Sequence, residues 1–271
     1  MSKPVAIITG AASGIGLALT KHLISKDWLV IMADINTKLG TELSAELGSS
    51  TLFVTTNVAI YSQQAQLFSK AFEWGGGRLD FFAANAGIAK TQDLYEENEA
   101  LDENGVPKEL DLTTLKVDLD AVVQGIWLFK YFARKNKEKK GGKVVITSSM
   151  GGLYPMESDP LYTAAKHALV GLTRATGTRF HREDITVNCI CPAFVPTNLA
   201  PKEVLAIFPK EHITPMSTLL RAYDMFLEDS SLSAKVAETS LDQVHFQEPP
   251  EFSSESNRWL ATATKELWED K

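Results

Sequence analysis

A tyrosine and a lysine stand four residues apart in a segment, residues 160–180, whose apolar periodicity predicts a helix. Tyr162 and Lys166 therefore lie on one helix face, one turn apart. A phenol is a poor base at neutral pH, but a neighbouring ammonium group favours its ionised form, so the pair could act as a general acid and base. This spacing is common by chance in helices. The hypothesis gains weight from Ser149, which follows a predicted strand 13 residues before Tyr162.

A glycine-rich turn separates the first predicted strand from the first predicted helix. Gly10 allows a tight turn, Gly14 lets the backbone approach a pyrophosphate, and Gly16 lets the helix pack against the strand. Free N–H groups at the helix N-terminus then favour phosphate binding. An ordinary glycine turn is the alternative, but the position between strand and helix favours a dinucleotide site. The predicted phosphate-binding turn comprises Gly10, Ser13, Gly14, Ile15 and Gly16.

An acidic residue, Asp34, ends the second predicted strand, 18 residues after Gly16. A carboxylate at this position accepts hydrogen bonds from ribose hydroxyls and repels a 2′-phosphate. No arginine or lysine follows at positions 35–37, and position 13 is a serine. The pattern favours NAD over NADP as the cofactor. A solvated aspartate at a strand end is the alternative.

Strands and helices alternate along the chain. Alternating units of this kind form a parallel sheet with helices on both faces, so we predict an α/β fold with a doubly wound sheet of about seven strands. Apolar runs predict strands at 4–9, 28–34, 51–56, 79–84, 143–148 and 185–190, and a last one within 235–246. Helical periodicity predicts helices at 14–26, 36–48, 62–74, 112–137, 160–180 and 258–269.

Three segments depart from this alternation. The acidic stretch 92–111 is predicted to be an inserted, partly solvated loop with a short helical piece. Residues 194–232 are predicted to be irregular to helical and to form a lid over the substrate. We expect one cofactor-binding catalytic domain over residues 1–247 and a C-terminal extension over 248–271, which begins in a stretch rich in Pro, Ser and Glu.

The composition excludes several classes of function. The 271 residues carry a net charge of −7 and a pI near 5.3, which argues against nucleic acids and anionic membranes as partners. No apolar run approaches the roughly 20 residues that span a bilayer. The apolar start of the chain ends too early, at Gly10, for a signal peptide. The expected location is the cytoplasm.

Two cysteines, Cys189 and Cys191, stand two residues apart on a predicted strand, so both thiols point to one face. This spacing suits neither zinc nor a redox pair, and we expect reduced, buried thiols. The five histidines have no spacing typical of metal ligands, and we predict no metal.

Taken together, the motifs resemble those of the short-chain dehydrogenase/reductase family, whose fold is of the Rossmann type. They follow the family's order and spacing over residues 5–200, and a narrower similarity points to the 15-hydroxyprostaglandin dehydrogenase-like members. The matching pieces are Thr9 to Gly16, Asp34, Ala84-Asn85-Ala86-Gly87, Ser149, Tyr162, Lys166 and the run Cys191 to Thr197.

The resemblance implies a role for each matching position. Tyr162 would be the acid and base, Lys166 would assist it and hold the nicotinamide ribose, and Ser149 would polarise the substrate oxygen. The remaining positions would line the cofactor cleft or support the nicotinamide: Asn85, Gly87, Pro192, Val195 and Thr197.

The sequence departs from the family pattern at two polar positions. Asp118 stands where the family usually has a catalytic asparagine, and an ionised carboxylate cannot donate a hydrogen bond. It could pair with Lys166 instead, or be a solvated aspartate without a catalytic part. Asn57, followed by Val58, replaces an aspartate that contacts adenine, and its amide can still bond the adenine amino group.

The resulting prediction is an NAD-dependent oxidoreductase that interconverts a secondary alcohol and a ketone on a lipophilic small molecule of hydroxy-fatty-acid, polyketide or terpenoid size. An NADPH-dependent carbonyl reductase and a cofactor-binding subunit without turnover are the alternatives. The expected apolar substrate wall comprises Leu153, Tyr154, Met156, Phe194, Leu199, Phe208, Met216 and Leu220.

Apolar residues on two long helices, 112–137 and 160–180, extend beyond one face. The resemblance implies a dimer contact between these helices, so we expect a homodimer or a homotetramer. The alternative is that these residues face their own sheet. They are Val122, Ile126, Phe129, Phe132, Leu169, Leu172 and Phe180.

Overall fold

The structure is a computed structural model that describes residues 3–89, 92, 94–95, 100–137, 140–200 and 202–269. Within them, one sheet has eight strands in the order β3-β2-β1-β4-β5-β6-β7-β8. The strands are Val5–Thr9 (β1), Leu29–Asp34 (β2), Thr51–Thr55 (β3), Phe81–Ala84 (β4), Gly142–Thr147 (β5), Ile185–Pro192 (β6), Val236–Ser240 (β7) and Gln243–Phe246 (β8).

Helices connect the strands and cover both faces of the sheet. A π-helical segment, Lys116–Asp120, joins the fourth helix to the fifth. The helices are Gly14–Ser25 (α1), Thr37–Leu47 (α2), Tyr61–Trp74 (α3), Thr113–Leu115 (α4), Ala121–Ala133 (α5), Pro160–Phe180 (α6), Lys202–Ile207 (α7), Met216–Glu228 (α8) and Glu255–Glu269 (α9).

The first seven strands run parallel, as their continuous apolar sequences predict. All five residues of β1 are buried, and alternate side chains enter two separate cores. One core packs against α3, α5 and α6 and contains Phe82 and Phe129. The other packs against α1 and α8 and contains Phe81 and Tyr223. The predicted doubly wound α/β fold is therefore confirmed.

The segment 235–246, predicted to hold a single last strand, differs in the structure. It is a hairpin, in which β8 returns antiparallel to β7, so the sheet has eight strands rather than about seven. The chain reverses at Leu241, whose φ of 50° lies in the left-handed region. An apolar run cannot reveal a turn made by a leucine, because leucine is not a typical turn residue.

The predicted helix 112–137 also differs from the structure. It ends at Ala133, and the π-helical segment interrupts it before α5. In the acidic stretch, Leu101 and Pro107 form an isolated antiparallel bridge. Residues 93 and 96–99 of that stretch lie outside the described residues, and its described part contains no helix.

The fold gathers the candidate residues at one edge of the sheet. In a parallel sheet all carboxyl ends of the strands meet at the same edge, where open α/β sheets bind ligands. Asp34 ends β2, and Asn85 follows β4. Ser149 follows β5 by two residues, and Pro192 ends β6.

Candidate active site

Helix α6 positions Tyr162 and Lys166 on one face. The helix starts sharply, because Pro160 stands in its first turn and the Asp159 carboxylate accepts a hydrogen bond from the Tyr162 N–H at 3.2 Å. The Lys166 Nζ lies 5.2 Å from the centre of the Tyr162 ring. Lys166 is buried, whereas Tyr162 is partly exposed. The predicted juxtaposition of phenol and ammonium is present in the structure.

The end of β5 is fastened to α6. The Ser148 hydroxyl donates to the Lys166 carbonyl at 2.9 Å, and the Lys166 Nζ donates to the Thr147 carbonyl at 3.4 Å. The Ser149 Oγ accepts a hydrogen bond from the Gly151 N–H at 3.1 Å. A Cβ added at Gly151 would stand 3.5 Å from the Tyr162 ring, so the turn that carries Ser149 lies against the tyrosine.

A buried carboxylate contacts the lysine. Asp118, in the π-helical segment, is fully buried and its Oδ2 lies 3.0 Å from the Lys166 Nζ. Its Oδ1 accepts a hydrogen bond from the Ile88 N–H at 2.8 Å. A Cβ at Gly87 would stand 3.2 Å from the Asp118 Oδ2 and 3.3 Å from the Lys166 Nζ. A side chain at this position would crowd the ion pair.

Opposing effects act on the ammonium group. Burial lowers the pKa of Lys166, but the charges of Asp118 and Tyr162 outweigh it and raise the pKa above its ordinary value. Lys166 therefore stays protonated throughout the neutral range.

The two cysteines lie nearby on β6. Both are buried without a disulfide, as predicted, and their Sγ atoms are 3.9 Å apart.

A directed chain of hydrogen bonds crosses the carboxyl edge of the sheet. The Thr147 hydroxyl donates to the Asn85 Oδ1 at 3.1 Å, so the Tyr223 hydroxyl, 2.7 Å from the Thr147 Oγ1, is left to donate to it. The Asn85 Nδ2 donates to the Thr9 carbonyl at 3.0 Å. Tyr223 on α8 and Thr147 escaped the sequence analysis, because their partners are distant in sequence and neither belongs to a motif.

The glycine turn has the backbone geometry that a phosphate site needs. Gly10 and Gly14 have φ values of 67° and 50°, in the region that glycine adopts without strain. A Cβ at Gly16 would stand 2.2 Å from the Gly10 carbonyl oxygen, so the third glycine is required for packing. Ser13 is the N-cap of α1, but its side chain makes no capping hydrogen bond. The backbone of Ser13 to Gly16 therefore fits a bound phosphate.

The carboxylate of Asp34 holds the same turn. Its Oδ2 accepts a hydrogen bond from the Ala12 N–H at 3.0 Å, and its Oδ1 accepts one from the Asn36 N–H at 3.0 Å. Asp34 is only partly buried, so lone pairs remain for a further donor such as a ribose hydroxyl. The predicted site for the adenosine end of a dinucleotide is thus bordered by Asp34 and the glycine turn.

Two residues predicted to contact adenine follow β3. The Asn57 Oδ1 accepts from the Ala59 N–H at 3.0 Å, and the Val58 carbonyl accepts from the Gln64 side chain at 2.6 Å. The Asn57 oxygen thus already forms a local turn, and a second lone pair is left for adenine. Contact with adenine remains a prediction.

The segment after β6 reaches the glycine turn. Val195 is buried, and the Thr197 side chain stands 3.2 Å from the position of a Cβ at Gly14. Farther on, the rings of Phe194 and Phe208 stack, which joins the segment before α7 to the one after it. Leu199, Val204 and Ile207 are exposed apolar side chains of this segment; Tyr154, predicted for the same wall, is also exposed, and its hydroxyl donates to the Glu238 Oε2 at 3.1 Å. Leu153 and Leu220, predicted to belong to the substrate wall, pack partly buried against the two cores.

Comparisons with known proteins agree with this geometry. A family model described as short chain dehydrogenase matches residues 4–206. The chain is 34% identical to "Short-chain dehydrogenase/reductase prx6" of Penicillium rubens over 261 residues, which are 91% of this chain and 86% of that protein. It is 30% identical to human "15-hydroxyprostaglandin dehydrogenase", whose name specifies NAD(+), over 267 residues, 90% of this chain and 94% of that protein.

Solved structures share the fold. A 3-ketoacyl-(acyl-carrier-protein) reductase from Brucella melitensis, complexed with NADH, superposes with a TM-score of 0.74 at 20% identity over 88% of this chain and 96% of its own. A 3-hydroxyacyl-CoA dehydrogenase type-2 from Mycobacterium avium superposes with a TM-score of 0.73 at 24% identity, over 90% of this chain and 96% of its own. None of the helices among the described residues is long and apolar enough to cross a membrane. With its family match over residues 4–206, the chain belongs to the short-chain dehydrogenase family of oxidoreductases.

Proposed function

We propose that the protein is an NAD-dependent oxidoreductase that interconverts a secondary alcohol and a ketone on a lipophilic small molecule. The observation that carries the proposal is the buried Lys166 ammonium one helical turn from the partly exposed Tyr162, at the carboxyl edge of the sheet. A buried cation beside a phenol is the arrangement that makes a tyrosine an acid and base near neutral pH.

In this mechanism the chain's own residues handle the proton and the orientation. Tyr162 takes the hydroxyl proton of an alcohol, or gives a proton to the oxygen of a ketone. Ser149 donates a hydrogen bond to the same substrate oxygen, and Lys166 holds the nicotinamide ribose. A nicotinamide, when bound, accepts or supplies the hydride. Lys166→Ala is expected to weaken both cofactor binding and turnover.

The cofactor cleft is proposed to run from Asp34 to the segment after β6. Its phosphate end is the glycine turn, and its nicotinamide end lies near Pro192, Val195 and Thr197. Support comes from the approach of Thr197 to Gly14, which brings the two sides of such a cleft together. Asp34 favours NAD, because its charge would repel a 2′-phosphate.

A lipophilic substrate is proposed from the apolar surface of residues 194–232, which we take to be the lid of a catalytic domain over 1–247. Ile207 is 82% exposed, and Val204 on the same short helix is exposed as well. Exposed apolar side chains beside a cleft mark a site that an apolar ligand covers.

One assay tests the proposal. The purified protein is incubated with NAD or NADP and a panel of secondary alcohols of hydroxy-fatty-acid, polyketide and terpenoid type, while the absorbance of the reduced nicotinamide is followed. We expect turnover with NAD and a lipophilic alcohol. Turnover with NADP but not with NAD would instead identify an NADPH-dependent carbonyl reductase. Binding of a cofactor without any turnover would identify a non-catalytic subunit.

A further inference from the structure

The starting observation is the ion pair between Asp118 and Lys166. The carboxylate is fully buried and held from two sides, by the Lys166 Nζ at 3.0 Å and by the Ile88 N–H at 2.8 Å. The lysine side chain is only 4% exposed. Water therefore screens neither charge, and each strongly affects the electrostatic potential around the other.

Groups from several elements face the Lys166 ammonium. Asp118 approaches from the π-helical segment, Tyr162 from α6 itself, the Cys189 thiol from β6, and the Thr147 carbonyl from β5. Among these groups, the Asp118 carboxylate is the one that forms an ion pair with the ammonium, at 3.0 Å. The carboxylate partly offsets the positive potential of the lysine, and this matters most for groups in the cleft that lie farther from the ammonium than the Tyr162 phenol.

We infer that Asp118 is a positioning residue that acts through Lys166 and sets the ratio of affinities for the oxidised and reduced cofactor, favouring the oxidised form. The inference rests on the proposed function, in which the nicotinamide lies beside Lys166. Without Asp118, the uncompensated ammonium would face the cofactor.

The sign follows from the charge of the nicotinamide ring. The oxidised ring carries one positive charge and the reduced ring none, whereas the adenosine and phosphate parts are the same in both. An uncompensated cation therefore repels the oxidised form alone. At an effective dielectric constant of about 20, a unit charge roughly 12 Å away changes an equilibrium by about 10-fold.

The experiment compares Asp118→Asn with the wild-type protein. Calorimetry at pH 6.5 measures the dissociation constants of NAD and NADH for each. The amide oxygen of the variant can still accept from the Ile88 N–H, whereas its NH2 group replaces the oxygen that contacts the Lys166 Nζ, so the negative charge and its contact with the ammonium are both lost. We expect the ratio of the NAD constant to the NADH constant to rise about 10-fold, with the NADH constant changed less than about two-fold.

Asp120→Asn is the matched control, because Asp120 is exposed, belongs to the same π-helical segment and changes the net charge equally. Its ratio should equal that of the wild-type protein. Thermal unfolding checks that each variant is folded; if Asp118→Asn is not, Asp118→Ser also removes the charge and keeps an acceptor.

The outcomes separate the inference from the proposed function. If the wild-type protein binds both forms and Asp118→Asn leaves the ratio unchanged or weakens both forms equally, Asp118 has only a structural role and the inference is wrong. If the wild-type protein binds neither form, the proposed function is wrong, and the inference falls with it.

Discussion

Lys166 contacts groups on three elements, and they restrict where its charge can act. Its Nζ lies 3.0 Å from Asp118 and 3.4 Å from the Thr147 carbonyl, and it faces the Tyr162 ring. A lysine held in this way cannot swing away when the cleft is empty. The phenol and the ammonium are thus preorganised before any substrate arrives, which lowers the cost of reaching the reactive arrangement.

Removing the Tyr162 hydroxyl tests the acid–base role. Tyr162→Phe should lower turnover by about 10²–10⁴-fold, because only the group that transfers the proton is lost. The affinity for NAD, measured by calorimetry, should stay the same. Tyr61→Phe, at an exposed position at the start of α3, is the control. Unchanged turnover in Tyr162→Phe would refute the mechanism.

Cofactor choice depends on the charge of Asp34. Asp34→Asn keeps one oxygen that can accept from the Ala12 N–H, loses the acceptor for the Asn36 N–H, and removes the repulsion of a 2′-phosphate. We expect the wild-type protein to bind NAD more tightly than NADP by about 1–3 kcal/mol, and the variant to narrow this gap. Calorimetry with both cofactors measures it, with the exposed Asp27→Asn as a charge-matched control. Equal affinities in the wild-type protein would contradict the prediction.

At the scale of elements, an ion-pair cluster joins α5 to the turn after α6. Glu183 lies 3.2 Å from the Lys130 Nζ and 2.6 Å from the Arg134 Nε. Burial raises the pKa of Glu183, but the two cations outweigh it and hold the pKa below its ordinary value of 4.5. A lowered pKa means that the ionised form stabilises the fold. This stabilisation is present above pH 4.5 and is lost as the pH falls through the lowered pKa.

Glu183→Gln should therefore destabilise the protein by about 0.5–1 kcal/mol at pH 7, and by progressively less below pH 4.5. Urea unfolding at a series of pH values from 3 to 7 measures the difference. Glu251→Gln, at an exposed position, should show no such pH-dependent difference. A constant difference for Glu183→Gln at all pH values would mean that packing, rather than charge, explains the effect.

How much the sequence could predict depends on the range of the interactions. The strands up to β6 and the helix α6 were predicted to within about two residues, because apolar runs, glycines and helix caps are local signals. Tyr162 and Lys166 share a helix, so their juxtaposition followed from spacing. The π-helical segment was not predicted, although the pairing of its Asp118 with Lys166 was considered, because one widened turn barely changes the apolar periodicity of a helix.

At the scale of the whole molecule, α5 presents an apolar row to the outside. Most residues predicted to form a dimer contact are buried in the chain's own core: Val122, Ile126, Phe129 and Leu169, with Phe132, Leu172 and Phe180 packed partly buried against it. The exposed residues are their neighbours Val123, Trp127 and Tyr131, spaced four apart on one face. A homodimer through α5 and α6 stays a prediction, but on α5 the contact would be made by these three exposed residues instead of the buried ones.

Trp127 is 64% exposed and lies at the centre of this row, so it is the residue to change. We expect the wild-type protein to have the mass of a dimer or a larger oligomer in light scattering at micromolar concentration. Trp127→Asp should shift it towards the monomer, because a charge in an apolar contact is costly. Ile60→Asp, at the start of α3, should leave the mass unchanged. A monomeric wild-type protein would contradict the prediction.

The separation of the two sheet edges has a practical use. All candidate site residues lie at the carboxyl edge, whereas the turn before β3, with Ser49 exposed, lies at the amino edge. The chain has two cysteines, and both are buried. A single new thiol at Ser49 would thus be the preferred target of a maleimide reagent. It would allow a dye or a solid support to be attached with every molecule oriented alike and the cleft facing outward.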